Sequence, residues 1–398
     1  MQRSNDKSFA TRTFSRSGGG QLNRLRRSAR ESEIVGKPAV WTFAAGLWRA
    51  CRILAALYVF IGALQLMKTG AGSLELFNQG GFLVRNAGST LGLGWLGALL
   101  TLSGTPPAAA ALTLAATGKI SEIQGFTMVT GARLGAAFVV LLVASLYAFR
   151  SGAGRRLKPV STAVLALAIT AVIYVPGAII GGFVLVSRPF QHVHIGAPPA
   201  FSGIVTYLYS WLEAVTASWQ PWALFLVGFG LLVLSFRALD SAMPEINEES
   251  FAGSRLSWLR RKWPMFFMGI TVVIATLSVS VALTVLVPLV AKGYVKREHL
   301  LPYIVGADLG TLVDKLLVAF IAGAGALHPS WPVRIILAEI VGTAFVGLLI
   351  MTVLYTPFRR GVWRFQRQVT RSKPRLAAFT TSLFFIPVLI MVVSGFVG

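Results

Sequence analysis

Five charged residues, Arg133, Asp308, Asp314, Lys315 and Glu339, sit inside stretches of chain that are otherwise almost wholly apolar. A charge at the centre of a membrane helix costs roughly 2.5–3.5 kcal/mol on insertion scales, so such a residue faces a cavity or a partner. Two chemistries fit Arg133 and Asp308. They form a structural ion pair, or Arg133 receives an anion while Asp308 receives a cation. Asp314 is a second candidate for a cation unless it pairs with the adjacent Lys315, and Glu339 has similar standing. Hydroxyl residues interrupt two further apolar stretches, as Ser103-Gly104-Thr105 and as Ser278 and Ser280. A helix broken there offers hydroxyls, freed carbonyls and N-terminal N–H groups, which suit a small anion and a hard cation such as sodium. The plainer role of such small residues is close helix packing.

The elements that position these residues follow from hydropathy and charge. Of the 398 residues 55% are hydrophobic and 13% charged, and the apolar stretches approach the roughly 20 residues that cross a bilayer. This is an all-α polytopic membrane protein by composition. The net charge of +23 falls in short blocks between apolar spans, a positive-inside distribution rather than a nucleic-acid surface. Residues 1–40 read as a disordered basic cytoplasmic tail without a cleavable signal. Spans are expected at about 41–67, 123–149, 159–187, 221–239, 300–325, 333–357 and 376–398. Residues 188–219 read as an external loop and 358–375 as a basic cytoplasmic loop. Two apolar regions, about 90–117 and about 264–291, are interrupted. Ser103 to Pro107 breaks the first, because a proline pair does not suit a straight spanning helix. Read as re-entrant hairpins, they put every strongly basic loop on one side, with the N-terminus in the cytoplasm and the chain in the inner (plasma) membrane.

An internal repeat joins the two regions. Residues 94–144 and 269–319 align without a gap at an offset of 175. Gly94 matches Gly269, Thr101-Leu102-Ser103 matches Thr276-Leu277-Ser278, and Gly131-Ala132 with Gly135 matches Gly306-Ala307 with Gly310. The charge-derived topology inverts one copy relative to the other. The expectation is therefore two inverted-topology repeats, 41–187 and 220–357, plus an extra C-terminal span. Broken helices at the interface of such repeats are where secondary transporters bind substrate.

The same residues resemble the type II sodium–phosphate cotransporter family. Each repeat of that family carries a Gln-Ser-Ser-Ser hairpin motif followed by Gly-Ala-Asn-x-Gly-Thr. Here Leu102-Ser103-Gly104-Thr105 precedes Gly131-Ala132-Arg133-Leu134-Gly135, and Leu277-Ser278-Val279-Ser280 precedes Gly306-Ala307-Asp308-Leu309-Gly310-Thr311. Phe60 to Met67 is similar to the helix that precedes the family's first hairpin. Both motif glutamines are leucines here, and the two asparagines are Arg133 and Asp308. The resemblance implies sodium-coupled symport of phosphate or a related small anion by alternating access. On it, Ser103, Gly104, Thr105, Arg133, Ser278 and Ser280 contact substrate, and Ser278, Ser280, Asp308, Thr311 and Asp314 contact sodium. One net charge moved across 100 mV supplies about 2.3 kcal/mol, roughly fifty-fold in accumulation.

Other signals are weak. His192 and His194 have no third ligand near them in the chain, and Cys51 stands alone, so no metal site or cofactor other than the coupling ion is expected. Gly18-Gly19-Gly20 lacks the lysine of a phosphate loop. No catalytic constellation is apparent, so no enzyme activity is expected. The rival to transport is a scaffold or sensor that keeps a transporter fold.

Overall fold

The computed structural model describes residues 39–72, 81–150, 157–187, 189–190, 196–242, 261–276, 282 and 299–397. The chain divides into two compact units, Met1–Arg52 and Ile53–Gly398. The described part of the first, residues 39–52, is helical. Among the described residues there are 12 α-helices and no strand. They are α1 (Ala39–Gly72), α2 (Ala87–Thr101), α3 (Thr105–Ala116), α4 (Glu122–Arg150), α5 (Leu157–Val186), α6 (Pro199–Thr216), α7 (Pro221–Ala242), α8 (Lys262–Thr276), α9 (Leu300–Gly323), α10 (Trp331–Thr352), α11 (Tyr355–Thr370) and α12 (Lys373–Val397).

Six of them, α1, α4, α5, α7, α10 and α12, are long and apolar enough to cross a membrane. Helix α9 is as long, but carries Asp308, Asp314 and Lys315 in its middle. The protein is thus a multi-pass helical membrane protein. By contrast α2, α3 and α8, of 15, 12 and 15 residues, are too short for a bilayer core that needs about 20.

Contacts at the helix ends give the unit Ile53–Gly398 its direction. At one end, called upper here, Lys68 Nζ donates to the last carbonyls of α9, Ile321 O at 3.2 Å and Ala324 O at 2.7 Å. A cation there complements the negative helix terminus. The His328 N–H donates to Ala116 O at 2.9 Å, Glu122 pairs with Arg334 at 3.2 Å, and Asn86 Nδ2 donates to Ser394 O at 2.6 Å. The start of α2 and the end of α3 therefore lie at the same end. At the lower end Lys262 Nζ, on α8, donates to Met351 O at 3.1 Å, and Gln366 of α11 donates to Ser161 of α5 at 2.7 Å.

Between α2 and α3 the chain breaks at Leu102–Gly104. Asn86 caps the start of α2 by accepting from the Ser89 N–H. Leu102 stops it in the left-handed region at φ 53°, donating its N–H to Ala98 O. Pro106 and Pro107 open α3, where a missing N–H is harmless. A Cβ on Gly97 would stand 3.1 Å from Pro107, so α2 and α3 fold back on each other.

Two helix pairs cross in the same way. A Cβ added to Gly94 would strike Met128 O on α4, and one on Gly131 would strike Leu91 O on α2. In the second pair, a Cβ on Gly269 would strike Tyr303 O on α9, and one on Gly306 would strike Phe266 O on α8. Gly135 over Trp95 O and Ala98 recurs as Gly310 over Ile270 O and Val273. Each contact recurs 175 residues on. Only glycine lets backbones approach this closely, which is why these positions stay legible.

Two connections differ from the sequence reading. Within 188–219 lies α6, and within 358–375 lies most of α11. Helix α11 is amphipathic, and its arginines offset its apolar face. Helix α6 is largely apolar, with Glu213 as its one charged residue, but at 18 residues it is shorter than the roughly 20 a span needs. The second interrupted region begins as α8; residues 277–281 and 283–298 lie outside the described residues, as do 1–38.

Candidate functional site

Polar residues from four helices converge in the middle of the bundle. Helix α4 supplies Thr130 and Arg133, α5 supplies Thr170 and Tyr174, α9 supplies Asp308, Thr311, Asp314 and Lys315, and α10 supplies Glu339. All nine are buried. The glycine crossings hold α4 against α2 and α9 against α8. A third close approach, Gly342 against the Gly177 carbonyl, joins α10 to α5.

Arg133 is the hub. Its Nη1 donates to Glu339 Oε2 at 2.9 Å, a buried ion pair. Its Nη2 faces Tyr174 OH at 2.5 Å, Thr311 Oγ1 at 2.6 Å and the Asp308 carbonyl at 3.0 Å. The guanidinium carbon lies 4.1 Å above the Tyr174 ring, adding a cation–π contact. Thr130 donates to the other oxygen of Glu339 at 2.5 Å. Arg133 thus makes its ion pair with Glu339, and from Asp308, 175 residues away, it takes the backbone oxygen.

The Asp308 carboxylate is held by hydroxyls. Thr170 Oγ1 stands 3.1 and 3.3 Å from its two oxygens, and Tyr174 OH 3.4 Å from one of them. The Tyr174 hydroxyl also reaches the Asp308 carbonyl at 3.0 Å. About two turns along α9 from Asp308, Lys315 Nζ reaches Asp314 at 3.5 Å and Thr311 O at 3.3 Å. The cluster holds three carboxylates and two cationic side chains. Fully ionised, it carries one negative charge in excess, the polarity that attracts a cation.

The first broken helix packs on the helix that carries Arg133. A Cβ on Gly104 would lie 2.9 Å from Ala132 O and 2.8 Å from the Ala136 side chain, so the Leu102–Gly104 turn rests on that side of α4. Ser103 and Thr105 flank that contact, and the Ser103 carbonyl accepts from Thr101 Oγ1 at 2.8 Å. Ser278 and Ser280 lie outside the described residues, and His192 and His194 do too.

Of the residues singled out by sequence, Arg133, Asp308, Thr311, Asp314, Lys315 and Glu339 fall in one cluster. Gly104 packs on α4, and among the described residues no hydrogen bond joins Ser103 or Thr105 to that cluster. Thr130, Thr170 and Tyr174 were missed. The available signal was spacing, since Thr130–Arg133 and Thr170–Tyr174 each share a helix face. Among the described residues no group of three or more metal-ligating side chains is present. No family model, curated protein or solved structure matches this chain.

Proposed function

We propose that this protein is a secondary active transporter, a cation-coupled symporter of a small oxyanion with inorganic phosphate as first candidate, built from two inverted-topology repeats. The observation that carries the reading is the recurrence of one glycine crossing at an offset of 175, with the equivalent residues Arg133 and Asp308 in contact between the copies. Helices α4 and α9 run in opposite directions, as an inverted pair would. The hairpin α2–α3 starts and ends at the upper end, and α8 starts at the lower one. On this reading both hairpins are re-entrant, the second returning through residues outside those described, and the basic lower end is cytoplasmic by the positive-inside rule.

On this reading Asp308, Thr311 and Asp314 form the cation side, because hard oxygens and an excess negative charge suit sodium. Ser103, Gly104 and Thr105 present the anion side, with Ser278 and Ser280 as their counterparts. Arg133 is the fixed positive pole that orients Asp308. Its bonding also favours a second reading: four protein oxygens surround its two terminal nitrogens, as in a scaffold that has lost transport.

Uptake of radiolabelled phosphate into proteoliposomes, with and without an inward sodium gradient, separates the two. Sodium-dependent uptake that Asp308→Asn makes insensitive to the gradient, in folded protein, supports symport. Absence of uptake for phosphate, sulfate and small carboxylates by correctly inserted wild-type protein rules it out in favour of the scaffold.

A further inference from the structure

Helix α11 connects the lower ends of α10 and α12, and its two faces differ sharply. Val362, Gln366 and Val369 are buried against the bundle. Arg360, Arg364, Arg367 and Arg371 recur at helical spacing on the opposite side, and all four are exposed. Among the described residues none of the four makes an ion pair, and the chain contains no Asp or Glu after Glu339. A basic amphipathic helix at the ends of two spans lies where phospholipid headgroups begin.

Beside this helix is a cavity of about 510 Å³, the size of a small-ligand pocket. Phe365 lines it from α11, Phe379 and Leu383 from α12, and Leu134 from α4. Trp95 lines the cavity as well, but its indole N–H is buried away from it. One polar residue breaks this apolar wall: Thr170, the donor to Asp308. At the rim, a Cβ on Gly361 would meet nothing within 4 Å, so the cavity is open there.

An apolar chamber and a cationic stripe nearby that makes no ion pair among the described residues describe one kind of occupant. We propose that this cavity binds an anionic glycerophospholipid of the surrounding bilayer. An acyl chain fills the chamber, lying along the Trp95 ring, and the phosphate meets Arg360 and Arg364. The proposal rests on the membrane assignment alone and stands whether or not the protein transports phosphate.

The test uses the full-length protein, purified and delipidated in a neutral maltoside detergent. Phosphatidylglycerol and phosphatidylcholine with the same chains are titrated, reading thermal unfolding and, by native mass spectrometry, lipid retained. The expected result is retention of phosphatidylglycerol at least ten-fold tighter than phosphatidylcholine, with a matching rise in unfolding temperature. Arg360→Gln/Arg364→Gln abolishes that preference. Gly361→Leu, whose side chain enters the open rim without a clash, reduces retention of both lipids. Equal retention of both lipids by wild type overturns the proposal. So does full phosphatidylglycerol binding by folded Gly361→Leu, and so does glycerol phosphate or inorganic phosphate reproducing the stabilisation without an acyl chain. Should a variant fail to fold, brominated-chain phosphatidylglycerol decides. It quenches wild-type tryptophan emission by a share that Trp95→Phe removes, and equal quenching in both refutes the site.

Discussion

Replacing Glu339 by alanine tests whether the centre of the bundle is held by a buried ion pair. The substitution removes the carboxylate 2.9 Å from Arg133 Nη1 and leaves the guanidinium among Tyr174, Thr311 and the Asp308 carbonyl. Breaking a buried pair by deleting one partner costs about 3–5 kcal/mol. Three neutral acceptors remain, and Thr130 keeps the Phe126 carbonyl at 3.0 Å, so the lower bound applies. About 3 kcal/mol corresponds to a fall in unfolding temperature on the order of 5 °C for a chain of this size. Arg133→Met costs more, because Glu339 then keeps only the Thr130 hydroxyl. The double replacement Arg133→Met/Glu339→Met removes both charges together, and apolar substitution of a whole buried pair is close to neutral. It is therefore expected to unfold at a higher temperature than either single variant. Circular dichroism melts of the detergent-solubilised proteins, arranged as a double-mutant cycle, measure this. A Glu339→Ala protein that melts within 1 °C of wild type, or a double variant less stable than both singles, would refute the argument.

Three further outcomes follow from the backbone. Gly131→Val and Gly306→Val each destabilise by about 2 kcal/mol or more through overpacking, and by similar amounts, because each Cβ meets a backbone oxygen of the facing helix. Gly230→Val, with nothing within 4 Å, is the neutral control, and a large difference between the first two would separate the crossings. Leu102, at φ 53°, bears a left-handed cost of roughly 1–2 kcal/mol, so Leu102→Gly stabilises and Leu102→Val destabilises; the reverse order would show the turn relaxed. In a Cys51→Ala background, cysteines at Lys119 and Arg360 label with an impermeant maleimide from opposite faces of the membrane, and labelling from one face would overturn the helix directions given above.

The parts of this fold legible in the sequence are those where the chain has no alternative. Lipid demands a long apolar stretch, so α4, α5, α10 and α12 were visible within a few residues of their ends. Backbone contact demands glycine, so Gly94, Gly131, Gly269 and Gly306 stood out in the sequence as a repeat, although that they sit where helices cross is visible only in the fold. Helix α11 was read as a loop because hydropathy averages over both faces of a helix, and its arginine face cancels its apolar one; α6, though largely apolar, was passed over because its 18 residues fall short of a full span. In the cluster, charge made Arg133, Asp308, Asp314 and Glu339 conspicuous. It did not reveal which carboxylate Arg133 meets, since an alignment offset relates positions and not side-chain reach. The hydroxyls of Thr130, Thr170 and Tyr174 went unnoticed for a different reason: threonine and tyrosine are ordinary in membrane helices, and only their neighbours across the bundle give them a task.

The charges of α9 also bear on how the protein is made. On the insertion scale Asp308, Asp314 and Lys315 oppose entry into lipid by roughly 8–10 kcal/mol, while its dozen Leu, Ile, Val and Phe residues favour entry by roughly 4–7. Alone, α9 therefore has no stable place in the bilayer. Glu339 reaches the translocation machinery only when α10 is synthesised, and with Arg133, Thr170 and Tyr174 already inserted it completes the polar surroundings that α9 needs. Integration of α9 is thus expected to wait for α10 and to occur against the assembled α4 and α5. A nascent chain truncated after Gly323 would leave α9 outside the membrane, and one extended past Thr352 would carry it in.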